Sequence, residues 1–402
     1  MRRLFTPARP PAAAAAGLLA ALLVAWVGLT QSLAATSSRG EAVGADGPAY
    51  VRIARCLLRG TLELPPPHLI DHDRQQRLHD PFGTPYARSR DGRLLPKHSV
   101  LYAALLVPGV ALGDAAGAVA AAVLLGAALV AFVTARTAAR LGPLPALAAS
   151  TALFVMSPGG RWVVTGVNLD TVLAAAMAAA FALAASGRPA AAGALAGLCP
   201  LFRPTAVLLL LPAAAALPAR GLRPLLRFAA GAAAGGLVTA LAQSWLWGAP
   251  WRTAYDRAVV FVEGGARLAP HSSEFGADPI AGLRALLFDP QAGFALLAPA
   301  ALLALAGYLR PAARRPEWWI ATASATASLL LLAPYSFVQE VPAGNFRFGF
   351  PLLVSALPPL AALLSPAGRN APVPSAAETT PASDGSAPKR SPSTETTPKP
   401  SD

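Results

Sequence analysis

Long runs of alanine, leucine and valine alternate along the chain with short segments rich in glycine, proline and arginine. The apolar blocks lie at 12–35, 99–112, 115–135, 143–157, 168–186, 189–199, 203–217, 225–247, 291–309, 317–335 and 348–365. A helix that crosses the hydrocarbon of a bilayer needs about 20 residues, with roughly 17 as a lower limit. The blocks at 99–112 and 189–199 fall short of this, and 143–157 and 203–217 are marginal. The first short block reads as a juxtamembrane or re-entrant helix on the outer face, and 189–199 as a short span ending near Cys199 and Pro200. The pattern predicts an all-α polytopic membrane protein, a bundle of about ten transmembrane helices with both ends in the cytoplasm.

Arginine placement supports that topology. Cytoplasmic connections carry an excess of positive charge. With an uncleaved first span and its N-terminus inside, Arg2, Arg3, Arg9, Arg136, Arg140, Arg188, Arg220, Arg223, Arg227, Arg310, Arg314 and Arg315 all fall on the cytoplasmic side. The short outer connections hold only Arg161 and Arg203. Counting 99–112 as a full span would invert everything after it. Residues 1–11 then form a cytoplasmic N-terminus and 12–365 a transmembrane domain. Within it, 36–114 is a first outer loop with amphipathic helices and 248–290 a second outer loop. The Pro/Ser/Thr-rich segment 366–402 reads as a disordered cytoplasmic tail, too poor in apolar residues to fold.

Composition narrows the class further. The chain of 402 residues is 54% hydrophobic and 13% charged, where a soluble domain spends about 25% of its residues on charge. The net charge of +13 reflects membrane orientation, so no nucleic-acid partner is expected. Arginine and alanine richness hints at a high-GC bacterial genome and thus a bacterial inner membrane. Cys56 and Cys199 are far apart and match no metal or redox pattern.

Most candidate chemistry falls in the first outer loop. In "GADGPAYVRIARCLLRG", Pro48 suits a first helical turn. Tyr50, Ile53, Leu57 and Leu58 share one face, with Arg52, Arg55 and Arg59 largely opposite, as in a helix lying on a membrane surface. Asp46 precedes it and has two readings: a cap or dipole partner for this helix, or a general base for a hydroxyl. His68, His72 and His79 beside Asp71, Asp73 and Asp80 could hold a divalent cation or form a solvated loop. Lys97 and His98 start the next short helix and suit either a lipid phosphate or interfacial anchoring. Asn168, Asp170, Arg203 and Arg347 lie at outer span ends, where a charge is costly unless paired or snorkelled.

Several segments resemble those of bacterial GT-C glycosyltransferases. "GADGPAYV" is similar to the motif that follows the first span in that family, matching at Asp46, Pro48 and Tyr50. "DGRLLPKHSVLYAALLVPGVALGDAAG", "FDPQAGFALLAPAALLALAG" and "GNFRFGFPLLVSALPPLAALL" look like later landmarks in the same order. The resemblance implies a GT-C-like bundle and a polyprenyl-phosphate-linked sugar as donor. It further implies transfer, with inversion, to the hydroxyl of an unknown lipid, glycan or protein acceptor on the extracytoplasmic face. Carried over, Asp46 is the general base, Lys97, Arg203 and Arg347 hold the donor phosphate, and Tyr50, His98 and Asp170 line the substrate site. Gly47 stands where the family often has a second acidic residue, which weakens any site for a divalent cation built on that pair. Two other readings remain open at this level: a polytopic transporter or flippase, and a catalytically inactive GT-C-like assembly protein.

Overall fold

The structure, a computed structural model, describes residues 10–39, 42, 46–65, 85–210, 213–214, 217, 221–262, 265–270, 276–290, 293–334 and 345–366. The histidine–aspartate cluster at 68–80, the arginines before residue 10, Arg220 and the tail from 367 lie outside the described residues.

Helices dominate. In chain order they are α1 (Pro10–Arg39), α2 (Gly47–Leu58), α3 (Val100–Leu141), α4 (Pro143–Ser150), α5 (Pro158–Thr165), α6 (Leu169–Ala185) and α7 (Pro189–Leu198). After these come α8 (Leu222–Trp247), α9 (Pro279–Phe288), α10 (Pro299–Gly307), α11 (Pro316–Leu331) and α12 (Phe350–Leu364). Four helices are long and apolar enough to cross a membrane, at Pro10–Ser38, Val100–Leu141, Leu222–Trp247 and Phe346–Leu364. A fifth is gained if α5 and α6, bent by 93°, count as one span. The outward face of α8 carries Leu237, Leu241 and Trp245, each more than 60% exposed, a surface suited to lipid and not to water.

Proline and glycine set many of the boundaries. Proline occupies the first turn of α4, α5, α7, α9, α10, α11 and α12, where its missing N–H costs nothing. α3 is not a single rod. Gly113 and Asp114 leave helical geometry, Asp114 with a positive φ of 51°. A Cβ on Gly109 would strike the backbone of Gly117. In a continuous helix those residues would be about 12 Å apart along the axis, so 100–112 folds back onto 115–141. The short outer helix therefore ends where the long apolar run begins.

Close helix packing relies on small residues, as expected where lipid provides no hydrophobic drive between helices. Gly17 and Gly28 of α1 lie against Ala131 and Val123 of α3, a pairing whose opposed order makes the two helices antiparallel. In α7 and α8, Gly193 and Gly197 face residues 228–236 while Gly231 and Gly235 face 190–197. Both helices carry Gly-x-x-x-Gly, and the numbers rise together, so they run parallel.

The contacts separate two ends. At one, Leu141, Tyr308, Ala313, Trp318 and Ala362 form a cluster, and Arg140 pairs with Glu317 at 2.7 Å. These residues are the ones the charge pattern assigns to the cytoplasm. At the other end meet the two segments that the sequence pattern assigns to outer loops. β1 (Tyr86–Arg88) and β2 (Leu94–Pro96) form an antiparallel hairpin, turned at Gly92 with φ of 89°. β3 (Val259–Val262) pairs with β4 (Gly265–Leu268). Ala87 bridges to Ala258, and Arg257 donates to the carbonyls of Arg88 at 2.9 Å and Ser89 at 3.3 Å. The sequence pattern did not indicate these four short strands, which bring residues 86–96 against residues 257–268.

Candidate functional site

Asp46 decides between its two readings here. It stands at the N-cap position of α2, but its side chain makes no capping hydrogen bond. Only its carbonyl serves the helix, accepting from the Tyr50 N–H at 3.1 Å. The carboxylate turns instead to Arg347, whose Nη1 donates to Asp46 Oδ2 at 2.5 Å across 301 residues of sequence. Oδ1 is the oxygen left over.

Arg347 is delivered by a short 3-10 turn, Asn345–Gly349, just before α12. It is 8% exposed and also faces Asp170, with Nε 4.0 Å from Oδ2. Asp170 sits in the first turn of α6 and is buried. Its Oδ1 accepts from Arg203 Nη1 at 2.6 Å. The bend ahead of α6 explains how Asp170 reaches this point. Asn168 Nδ2 donates to the carbonyls of Trp162 and Val163 at 3.3 and 3.2 Å, and Thr171 Oγ1 donates to Val163 at 3.1 Å. These bonds restrain the bend between α5 and α6. Asn168 thus clamps the bend that presents Asp170.

Four charged residues from four parts of the chain therefore form a chain, Asp46–Arg347–Asp170–Arg203. The chain is incomplete. Asp170 Oδ2 and Arg347 Nε are buried and have no hydrogen-bond partner among the described residues. Such orphaned atoms carry a desolvation penalty of about 1–3 kcal/mol each, and they mark where a polar group would be welcomed.

The remaining predicted residues complete one wall. The ring of Tyr50 packs edge-on against His98, with centroids 5.6 Å apart, and against Tyr102 at 4.7 Å. Ser99 caps α3 by accepting from Tyr102 N at 3.2 Å, which orients this wall. Lys97 is buried, and its backbone N–H donates to the Pro85 carbonyl at 2.8 Å. Sequence reasoning missed two members. Phe348 lies under both guanidinium groups, 5.3 Å from Arg203 and 5.0 Å from Arg347, a cation–π contact announced only by the aromatic-rich "NFRFGF". Tyr255 of the second outer loop feels the charges of Arg203, Asp46, Arg347 and Asp170, and no local signal distinguishes it.

Electrostatics sort the protonation states. Burial works to raise the Asp46 pKa, but Arg347, His98 and Arg203 outweigh it and hold the carboxyl well below its usual range. Burial pushes the His98 imidazole down to about 4; Asp46 opposes the shift, while Lys97, Arg347 and Arg203 add to it. His98 is therefore neutral and Asp46 ionised near pH 7. Two cations, Arg203 and Arg347, face the two carboxylates Asp46 and Asp170, and the charge of Lys97 is felt at His98.

A stability prediction follows from His98. The unfolded histidine takes its proton near 6.5, while the folded one does so only near 4. Between those values the unfolded chain binds more protons, so stability is complete above about 6.5 and is lost as pH falls toward 4. The loss is on the order of 2–3 kcal/mol, and the Asp46 contribution disappears only at lower pH. Thermal melts from pH 7.5 to 4.5 should show the wild type losing more Tm than His98→Asn. Parallel curves would contradict a neutral His98.

The predicted α2 surface is corrected in detail. Tyr50, Val51, Ile53, Ala54 and Cys56 are buried, but Leu58 is 47% exposed, and Arg55 pairs with Asp114 at 2.5 Å at the break in α3. The helix is docked on its neighbour through Ile53 and Tyr50, with Leu58 left exposed. A divalent cation does not fit the cluster. Among the described residues no three His, Cys, Asp or Glu side chains gather, and each carboxylate is already turned to an arginine. Comparison with protein-family models, with characterised proteins and with solved structures returns no match.

Proposed function

We propose that this protein is a membrane glycosyltransferase of the GT-C type, with about ten spans, in a bacterial inner membrane. It moves a sugar from a polyprenyl-phosphate donor to an acceptor hydroxyl on the extracytoplasmic face. The observation that carries this is the pairing of Asp46 with Arg347, at one end of the bundle and beside Arg203, Lys97 and His98. Four long apolar helices and the bent pair account for five crossings; the count of ten rests on the apolar blocks of the sequence.

The chemistry needs three things: an aligned hydroxyl, a proton acceptor, and charge stabilisation for the departing phosphate. Asp46 Oδ1 takes the hydroxyl proton as the oxygen bonds to the anomeric carbon. The bond from that carbon to the phosphate oxygen breaks, and polyprenyl phosphate leaves with both electrons. Arg203, Arg347 and Lys97 balance the charge that develops on it. A carboxylate held below its usual pKa is a weak base at rest. It suffices here, because the hydroxyl becomes acidic only as its bond to an oxocarbenium-like carbon forms. Entry of a phosphate would also draw Arg347 from Asp46 and strengthen the base at the moment of use. Tyr50 and His98 offer an aromatic wall and a neutral hydrogen-bonding group for a sugar. A flippase would call for ionisable groups along the transport path near the midplane; here they gather at one end.

Sidedness tests the proposal. Both native cysteines are buried, which leaves a low background for labelling. Arg90→Cys, on the turn of the β1–β2 hairpin, should react with an impermeant maleimide in intact cells. Arg223→Cys, at the start of α8, should react only after lysis. The opposite result would put the cluster in the cytoplasm and overturn the proposal.

A further inference from the structure

A second site lies at the far end of the bundle. A cleft opens between α3, α6, α11 and α12, floored by Phe132, Met177, Phe181 and Val354 and rimmed by Arg136 and Arg140. It is distant from the Asp46 cluster. Arg347 precedes α12, while the cleft is lined by Pro358 eleven residues further on, roughly 16 Å along a helix.

Its chemistry is amphipathic. Phe132 is 41% exposed and Phe181 stands one turn beyond Met177, so one helix face of α6 and one of α3 form an apolar trough. Arg136 and Arg140 are also one turn apart and share a face. They differ in commitment. Arg140 is held by Glu317 at 2.7 Å and lies over the Trp318 ring at 5.9 Å. Arg136 is exposed, with no ion pair among the described residues. The far wall adds acceptors. Pro358 and Pro359 lie inside α12 and lack an N–H, so the carbonyls of Val354 and Ser355 receive no amide four residues on.

The geometry points to a binding site for an anionic membrane phospholipid in the leaflet around this end. One acyl chain would lie in the trough against Phe132, Met177 and Phe181. The phosphate would meet Arg136, with Arg140 behind it, and headgroup hydroxyls would reach the Val354 and Ser355 carbonyls. A soluble anion would match the arginines but leave the trough exposed. A zwitterionic lipid would fill the trough but present an ammonium group to a cationic rim. Basic pockets between transmembrane helices take anionic headgroups for the same reasons. The inference does not depend on the activity proposed for the other end.

The full-length protein in nanodiscs, with phosphatidylglycerol or phosphatidylcholine as the added lipid, provides the test. Native mass spectrometry should show retained phosphatidylglycerol with about tenfold preference over phosphatidylcholine. Arg136→Gln should erase most of that preference. Ala182 also lines the cleft, and Ala182→Leu, which fills the trough without touching a charge, should weaken retention of both lipids. A phosphatidylglycerol carrying a photoreactive acyl chain should label segments 132–140 and 177–185 above other helices. Equal retention of the two lipids, a preference untouched by Arg136→Gln, or labelling spread evenly over the bundle would each overturn the assignment. Occupation of the cleft by inorganic phosphate in competition with the lipid would do so as well.

Discussion

Arg347→Ala is expected to be the most damaging single substitution in the cluster, lowering stability by about 3–5 kcal/mol. The residue is 8% exposed, bonds Asp46 at 2.5 Å, faces Asp170 at 4.0 Å and rests on Phe348. Its removal leaves Asp46 without its ion pair and Asp170 with Arg203 alone. The penalty comes mainly from the stranded charges. Removing both members of the pair should therefore cost less than the sum of the two single changes. In a thermal-melt cycle, Arg347→Ala with Asp46→Asn should show this coupling at more than about 1 kcal/mol. Arg347→Lys keeps the charge but loses the planar fork, and should fall between wild type and alanine. Additive single effects would mean that the pair is a surface contact of little consequence.

Asp46→Asn is expected to have the largest effect on turnover, a fall of about 10²–10⁴-fold. The substitution keeps the size of the side chain and one oxygen able to accept from Arg347, so the fold and the α2 N-terminus stay in place. What disappears is the capacity of Oδ1 to take a proton. The loss should fall on kcat, with KM for the donor unchanged or lowered, because Arg203 and Lys97 are untouched and Arg347 is released from its ion pair. The opposite split is expected for Arg203→Gln, which weakens donor binding. If Asp46→Asn raised KM alone, Asp46 would act only by holding Arg347.

The helices were legible because a membrane core demands continuous apolar runs, and among the described residues each run from 12–35 to 348–365 coincides with helix or contains it. Four of these helices, five with the bent pair, are long enough to cross a membrane. The turn at Asp91 and Gly92 was legible for a similarly local reason, since Gly92 supplies a positive φ. The same holds for Asp46, Asp170, Arg203 and Arg347, which the pattern singles out as charges next to apolar runs and the structure brings together. Their partners were not legible. Asp46 reads as a cap until Arg347 is brought to it from 301 residues away, and only tertiary packing achieves that. The four strands were hidden because three- and four-residue segments carry too little pattern to separate from loop. Tyr255 was missed for the same reason as the pairing. The fold-back at Gly113 and Asp114 was half visible. The length of 99–112 argued against a span, but nothing local specified that Gly109 would meet Gly117.

The most direct test is transfer itself. Sealed vesicles containing wild-type protein or Asp46→Asn would receive radiolabelled polyprenyl-phosphate sugars, with product and free polyprenyl phosphate followed over time. Wild-type vesicles should convert at least one donor to a glycosylated product with release of equimolar polyprenyl phosphate, and Asp46→Asn, folded and equally abundant, should lose that release by two orders of magnitude or more. Movement of intact donor across the bilayer without cleavage, or release by Asp46→Asn at the wild-type rate, would contradict a transferase built on Asp46.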